Sequence, residues 1–173
     1  MKRIIHFPRT QQGAALLVSL IILVMVSLMG ISALRSSIFS GKVATSVQAD
    51  AMTFEAAETA LGVTFRSLSA LTGEQLFTGL DAGVMQRCIQ HSNPDATGAC
   101  TGNTFMDERG LLKAQSSSFL TGYSPVEGFS FDYANYRISI LAESEMPTLN
   151  LENFHLQEME KFGMVPASEI RQE

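Results

Sequence analysis

The sequence predicts an α+β protein in which a long amino-terminal helix packs on a small head that contains an antiparallel sheet. Three observations favour this fold class. Residues 14–34 are uncharged and mostly apolar, residues 36–71 contain no proline, and apolar residues alternate with polar ones from Phe129 onward. We therefore expect the 173 residues to form a short leader, one helix in two parts and a single globular domain.

The first element after the leader is a candidate membrane helix. At 1.5 Å per residue, residues 14–34 span about 30 Å, the thickness of a bilayer hydrocarbon core. The leader, residues 1–13, contains three basic residues and no acidic one. Because positive flanks stay in the cytoplasm, we expect one pass through a bacterial inner membrane, with the remainder of the chain in the periplasm. A secretory signal peptide cut near Gly30-Ile31-Ser32 is the alternative, although typical signal sequences have a shorter apolar run.

The charge of the chain bears on its partners. Without the leader, nine basic and seventeen acidic residues remain, which gives a net charge of −8. A surface of this sign repels phosphate backbones, so nucleic acid is excluded as an expected partner.

Residues 35–71 are predicted to continue the same helix with one apolar face. Val47, Phe54, Leu61 and Leu68 recur every seven positions. The same predicted face also includes Ala51, Ala57 and Phe65. We expect this face to pack on the protein's own head. A coiled coil with a partner is the alternative, but about two and a half heptads are few for such a seam.

Residues 72–173 are predicted to form the head. Its first part, residues 72–128, is rich in glycine and is expected to be mostly loop, with a short helix near residues 84–90. From Phe129, alternation predicts a strand whose phase shifts at Ala134-Asn135. A turn through residues 145–148 then leads to a further strand that ends before Gly163.

Two cysteines are the candidates for a covalent link in the head. Cys88 and Cys100 are the only cysteines, and they flank a polar turn. In an extracytoplasmic domain, an even cysteine count predicts a disulfide. A metal site formed by Cys88, His91 and Cys100 is the alternative, although no fourth ligand is evident.

Patterns typical of enzymes do not occur in the sequence. It lacks a nucleophile elbow, a zinc-protease motif, a phosphate-binding loop and a dinucleotide fingerprint. The isolated histidines His91 and His155 are expected to be surface or packing residues. We therefore predict a protein that is not an enzyme, has no catalytic residues and binds no cofactor or metal.

The junction and the helix resemble those of type IV pilin-like precursors. The junction sequence Gln12-Gly13-Ala14-Ala15-Leu16 and the segments at residues 30–35 and 54–61 are similar to the PilX family of minor pilins. The resemblance covers about the first third of the chain. It implies that a prepilin peptidase cleaves between Gly13 and Ala14 and that the new amino terminus at Ala14 is methylated.

The resemblance also implies a role in assembly. Most major pilins have Glu at the fifth position after the cleavage site, whereas this chain has Val18. In this respect the chain resembles the minor pseudopilins that are placed at filament tips. Packing with other pilin helices would use Val18 together with the small residues Ala15, Ser19, Ser27 and Gly30.

The expected function is therefore that of a minor pilin in the tip or initiating complex of a type IV pilus. The expected partners are other minor pilins, the major pilin, the prepilin peptidase and a tip adhesin. A membrane-anchored periplasmic binding or sensor domain is one alternative, and a minor pseudopilin of a type II secretion system is another. A secreted enzyme released by signal cleavage is the third.

Overall fold

A computed structural model of the chain describes residues 12–129 and 132–165. It has the predicted α+β class, with two helices and one antiparallel sheet. The helices are α1 (Gln12–Ala70) and α2 (Gly73–Asp81). The strands are β1 (Met85–Ile89), β2 (Ala96–Thr97), β3 (Lys113–Pro125), β4 (Tyr133–Met146) and β5 (Leu151–Met164). The chain divides into two compact units, residues 1–47 and residues 48–173.

The described part of the first unit is the amino-terminal half of α1. Its side chains from Gly13 to Val47 are all exposed. No charged residue occurs between Ala14 and Leu34. As a helix, this stretch satisfies its backbone hydrogen bonds internally while it presents apolar side chains on every side.

In the second unit, the strand order is β2-β1-β3-β4-β5 and every pairing is antiparallel. β4 lies between the two other long strands, and its register with β5 runs without interruption from Tyr133 opposite Met164 to Met146 opposite Leu151. We call the side of the sheet toward α1 the inner face and the opposite side the outer face. The alternating inner residues of β4, among them Tyr136, Ile138 and Ile140, are fully buried.

The helix packs on the inner face through small residues, which differs from the predicted apolar face. Leu61, Leu68 and Ala57 are buried as expected, but Val47, Phe54, Phe65 and Ala51 are exposed. The other buried residues of α1 are Ala49, Thr53, Ala56, Ala60 and Thr64. The side chains of alanine and threonine let the helix backbone approach the sheet closely, so the face in contact is not the one with the largest residues.

Hydroxyl groups connect the helix to the sheet within this contact. Thr64 and Ser116, both fully buried, share a hydrogen bond between their hydroxyl oxygens. Ser144 Oγ donates to the backbone carbonyl of Thr53 over 2.6 Å, and Asn153 Nδ2 donates to Thr53 Oγ1 over 2.9 Å. These bonds compensate for the removal of the polar groups from water.

Lys161 on β5 closes the carboxyl end of α1. Its ammonium donates to the carbonyl oxygens of Leu68 (3.1 Å), Ser69 (2.6 Å) and Leu71. Helix ends leave carbonyl groups without intrahelical partners, and a cation there also complements the helix dipole. Burial lowers the pKa of Lys161. This contact joins the last strand to the last turn of the helix.

The prediction that residues 72–128 are mostly loop is wrong. This region contains α2, β1 and the thirteen-residue strand β3, and β1 (Met85–Ile89) lies where a helix was expected near residues 84–90. The helix α2 begins with a capping box in which Thr72 and Gln75 exchange side-chain and backbone hydrogen bonds. The spacing of these two residues is a recognised helix-start signal. β3 lacked a strand signal because its inner residues are Ala114, Ser116 and Ser118.

The predicted strands from Phe129 onward are confirmed in type but differ in their limits. β4 begins at Tyr133 and keeps one phase throughout, so the expected shift at Ala134-Asn135 is absent from it. The turn between β4 and β5 occupies residues 147–150, two positions later than predicted. β5 continues through Gly163 to Met164. The predicted strand residue Phe131 and the tail after Val165 lie outside the described residues.

Asp107 makes the stability of the head depend on pH. Burial opposes the charge of its carboxylate, but backbone N–H groups, that of Leu112 first and then Leu111, outweigh this effect and lower its pKa below the ordinary 3.8. The two donors lie 2.8 and 2.9 Å from Oδ1. A carboxyl group whose folded pKa is depressed contributes stability above its unfolded pKa and loses that contribution as the pH falls through the folded value.

We therefore expect acidification below about pH 4 to reduce the free energy of unfolding of the head, and Asp107→Asn to remove part of this dependence. Thermal unfolding of the full chain in detergent, followed by near-ultraviolet circular dichroism of its tyrosines between pH 7 and pH 3, measures the effect. Asp81→Asn, at the exposed end of α2, is the matched control. An unchanged acid dependence in the Asp107 variant would contradict the assignment.

Candidate membrane and assembly site

The predicted cleavage junction lies in the first turn of α1. The helix begins at Gln12, and Gly13 and Ala14 follow it directly. Residues 1–11 of the leader lie outside the described residues. A side chain added at Gly13 would have no atom within 4 Å. A peptidase needs extended backbone, and glycine helps here because a helical glycine is about 0.5–1 kcal/mol less favourable than alanine.

The surface of α1 from Ala14 to Leu34 is apolar on all sides. An 18-residue window of the helix has a mean hydropathy of 2.8, and none of that window is buried in the structure. The helix is long and apolar enough to cross a membrane. Leu23 and Met29 are examples of its large side chains, with 68% and 73% of their surface exposed. A surface of this kind is stable in lipid or among other apolar helices.

The small residues predicted for packing do not all share one face. Ala15, Val18 and Ser19 lie together with Ile22 along a shallow surface depression. At about 100° per residue, Gly30 lies on the same side as Ser19, whereas Ser27 lies roughly 80° further around the helix. A side chain added at Gly30 would meet no atom within 4 Å. The depression and Gly30 therefore define one side on which another helix backbone could approach closely.

The serine hydroxyls of this helix are satisfied within it. Ser19 Oγ donates to the carbonyl of Leu16 over 2.8 Å, and Ser27 Oγ donates to that of Leu23 over the same distance. An unsatisfied hydroxyl would be costly in hydrocarbon. The serines therefore provide small side chains at little cost in polar desolvation.

In the head, Cys88 and Cys100 form the predicted disulfide, with their Cα atoms 4.9 Å apart. Cys88 lies on β1 and is 2% exposed. The bond uses both thiols, so the alternative of a metal site with Cys88, His91 and Cys100 is wrong. The loop that the disulfide closes contains β2, which pairs with β1.

A polar cluster that was not predicted from the sequence connects this loop to α1. Asp95 accepts a hydrogen bond from Ser67 Oγ over 2.8 Å and forms an ion pair with Arg87. The Arg87 side chain is only 8% exposed, whereas Asp95 is 47% exposed. A buried guanidinium needs such a partner. Ser67 lies 28 positions before Asp95, and no local pattern indicates that the three residues meet.

His155 in the head has structural partners on α1. His155 Nδ1 lies 2.7 Å from Glu58 Oε1, and its ring meets the edge of Phe54 with centroids 4.4 Å apart. His91 is exposed. Among the described residues, no group of three or more His, Cys, Asp or Glu side chains is arranged to hold a metal ion.

A cleft of about 280 Å³ lies on the outer face near the disulfide. Its polar side chains contact one another. Gln115 Nε2 donates to Glu143 Oε2 over 2.8 Å, and Lys113 Nζ lies 3.8 Å from Glu145 Oε2. Phe154 lines the opposite side. Among the described residues that line the cleft, no nucleophile is paired with a base.

No family model, curated protein or solved structure matches the chain.

Proposed function

We propose that this chain is a minor pilin with no enzymatic activity, which joins the tip or initiating complex of a type IV pilus and promotes pilus assembly. In this proposal it is anchored in the bacterial inner membrane with its head in the periplasm. The observation that carries the proposal is α1, a helix that starts at Gln12, directly before the Gly13-Ala14 junction, and is apolar on all sides from Ala14 to Leu34.

The second half of α1 gives further support. It changes from an exposed helix to one that packs on an antiparallel sheet, with Leu61 and Leu68 in the two core clusters. One helix thus supplies both a surface for apolar partners and part of the core of the head. A protein built this way can act by packing alone, without a reaction centre.

The amino terminus of the membrane form tests this proposal. Cleavage after Gly13 should leave a mature chain that begins with methylated Ala14, which intact-mass measurement and terminal sequencing would both detect. Gly13→Leu should leave the precursor uncut because a large side chain at the junction obstructs the peptidase. Gly30→Leu, which adds the same side chain to the same helix away from the junction, should still be processed.

An amino terminus at another residue would contradict the proposal and point to a different class of protein. A purified membrane form that begins at Met1 would identify an anchored binding or sensor domain instead. A chain that begins near Ala33 would identify a secreted protein.

Val18 leads to a prediction about position in the filament. In the pilin family, the acidic residue at this position neutralises the amino terminus of a neighbouring subunit in an apolar setting, where an unpaired ammonium is costly. Val18 cannot do so, which is tolerable chiefly where there is no neighbouring subunit above it. We expect few copies per filament, located at the tip, and a deletion strain with fewer pili of unchanged diameter.

Immunogold labelling of sheared pili measures this position. Gold particles should appear at one end of each filament, and the deletion strain should show no label. Even labelling along the shaft at high copy number would show that Val18 is compatible with repeated shaft packing.

A further inference from the structure

The last strand of the sheet has an open side. β5 is fourteen residues long and pairs with β4 along its whole length, from Leu151 to Met164. In the part of the chain that the structure describes, no strand pairs with its other side. An edge of this length presents a row of backbone N–H and C=O groups that can pair with another strand.

The edge lacks several of the usual features that prevent such pairing. β5 contains no proline, and its register with β4 has no bulge. Its only lysine, Lys161, turns toward α1, and the carbonyl groups at the end of α1 already satisfy its ammonium. A strand added at this edge would therefore not separate the Lys161 ammonium from its hydrogen-bond partners.

The outer residues of β5 have a distinct order of apolar and acidic side chains. Phe154 and Leu156 are 58% and 68% exposed, and Phe162 and Met164 follow later with 47% and 56%. Between these two apolar pairs lie Glu158 and Glu160. Glu160 contacts Arg137 over 3.5 Å, yet its side chain remains 62% exposed.

We infer that β5 accepts an extended segment of another polypeptide as a sixth strand, and that this segment has basic residues opposite Glu158 and Glu160. Apolar residues of the segment would lie opposite the pairs on either side. Backbone hydrogen bonds would supply affinity, and cross-strand side-chain pairs would supply selectivity. The inference depends on the sheet edge alone and is independent of the proposed function.

The charges disfavour a second copy of this chain as the occupant. Antiparallel pairing of two β5 strands about their centre places Glu158 of one copy opposite or diagonal to Glu158 of the other. Like charges at these positions destabilise a strand pair. The net charge of −8 beyond the leader adds to the repulsion.

Synthetic peptides test the inference on the full chain in detergent micelles. The probe is a fluorescent nine-residue peptide with threonine at every odd position. Its even positions are two lysines followed by two valines, so these four side chains share one face. In antiparallel pairing, the lysines reach Glu160 and Glu158, and the valines reach Leu156 and Phe154. We expect it to bind at least about tenfold more tightly than the same peptide with glutamates for lysines, and to weaken with salt.

Two further measurements isolate the strand pairing. The double variant Glu158→Lys and Glu160→Lys should reverse the preference between the two peptides. The lysine peptide can be methylated on either of its two alternating sets of backbone nitrogens, which gives two isomers. Only one set of N–H groups faces β5. Methylation of that set should abolish binding, and methylation of the other set should leave binding intact. Equal binding of the lysine and glutamate peptides, or binding of both methylated isomers, would overturn the inference. A dimer of the full chain that the double variant abolishes would overturn it in favour of a second copy.

Discussion

Replacing Gly163 with alanine is expected to destabilise the head by about 1–3 kcal/mol. Gly163 on β5 meets Gly73 at the start of α2, and a Cβ atom at Gly163 would lie 2.7 Å from the Cα of Gly73. It would also lie 3.3 Å from a ring carbon of Tyr136, which is fully buried. The first of these distances is shorter than a carbon contact allows, and both partners there are backbone. Either α2 or the end of β5 would have to move.

The same contact predicts the reciprocal result. A Cβ atom at Gly73 would lie 2.8 Å from the Cα of Gly163, so Gly73→Ala should also destabilise the head. Gly62→Ala is the matched control, because a side chain there meets no atom within 4 Å. In a helix interior this change should stabilise by about 0.4–1 kcal/mol. Denaturant unfolding of the full chain in detergent, followed by tyrosine fluorescence, would compare the three variants.

Equal stability of the Gly163 and Gly62 variants would contradict the close approach of α2 and β5. If the Gly163 variant is less stable than the parent protein and the Gly73 variant is not, the substitution disturbs β5 itself and not the contact between α2 and β5.

Removing the disulfide is expected to cost about 3 kcal/mol in the chain-entropy model. Cys88 and Cys100 are twelve positions apart, and the bond between them restricts the unfolded chain. Asp95 holds the same loop through Ser67 and Arg87 in the folded state. These contacts exist only in the folded state. They therefore cannot replace the effect of the disulfide, which limits the conformations of the unfolded chain.

The double variant Cys88→Ala and Cys100→Ala should therefore have a lower unfolding midpoint than the parent protein. Reduction supplies the internal control, because a reductant should lower the midpoint of the parent to about that of the variant and leave the variant unchanged. Freely alkylated thiols in protein isolated without reductant would contradict the disulfide itself.

Several features could be read from the sequence because they depend on local patterns. The uncharged run before Arg35 indicates an apolar helix wherever it is placed, since helix length and composition decide whether a segment fits a membrane. The alternation along β4 and β5 predicts strands because large apolar residues recur at alternate positions, on the inner face of β4 and on the outer face of β5. The cysteine pair predicts the disulfide because the chain offers one possible pairing.

Other features could not be predicted because their signals are tertiary. β3 carries serines where a core strand would usually carry apolar residues, and the partner of the buried Ser116 hydroxyl is Thr64, from across the interface. The seven-residue spacing of large apolar residues predicted the wrong face of α1 as the buried one. The buried face is instead rich in alanine and threonine, which permit a closer approach to the sheet. The contact between Asp95, Arg87 and Ser67 joins three separate segments.

The sequence by itself determined an apolar helix that follows a basic leader, a disulfide and a sheet of alternating strands, because each depends on residue type and spacing along the chain. Only the tertiary structure decided which side of the helix is buried, how Lys161 closes its end and why Gly163 must lack a side chain. It also decided that, within the described residues, one edge of β5 is unpaired and carries acidic residues between apolar ones. These features depend on distances between segments, and a linear pattern contains no measure of those distances.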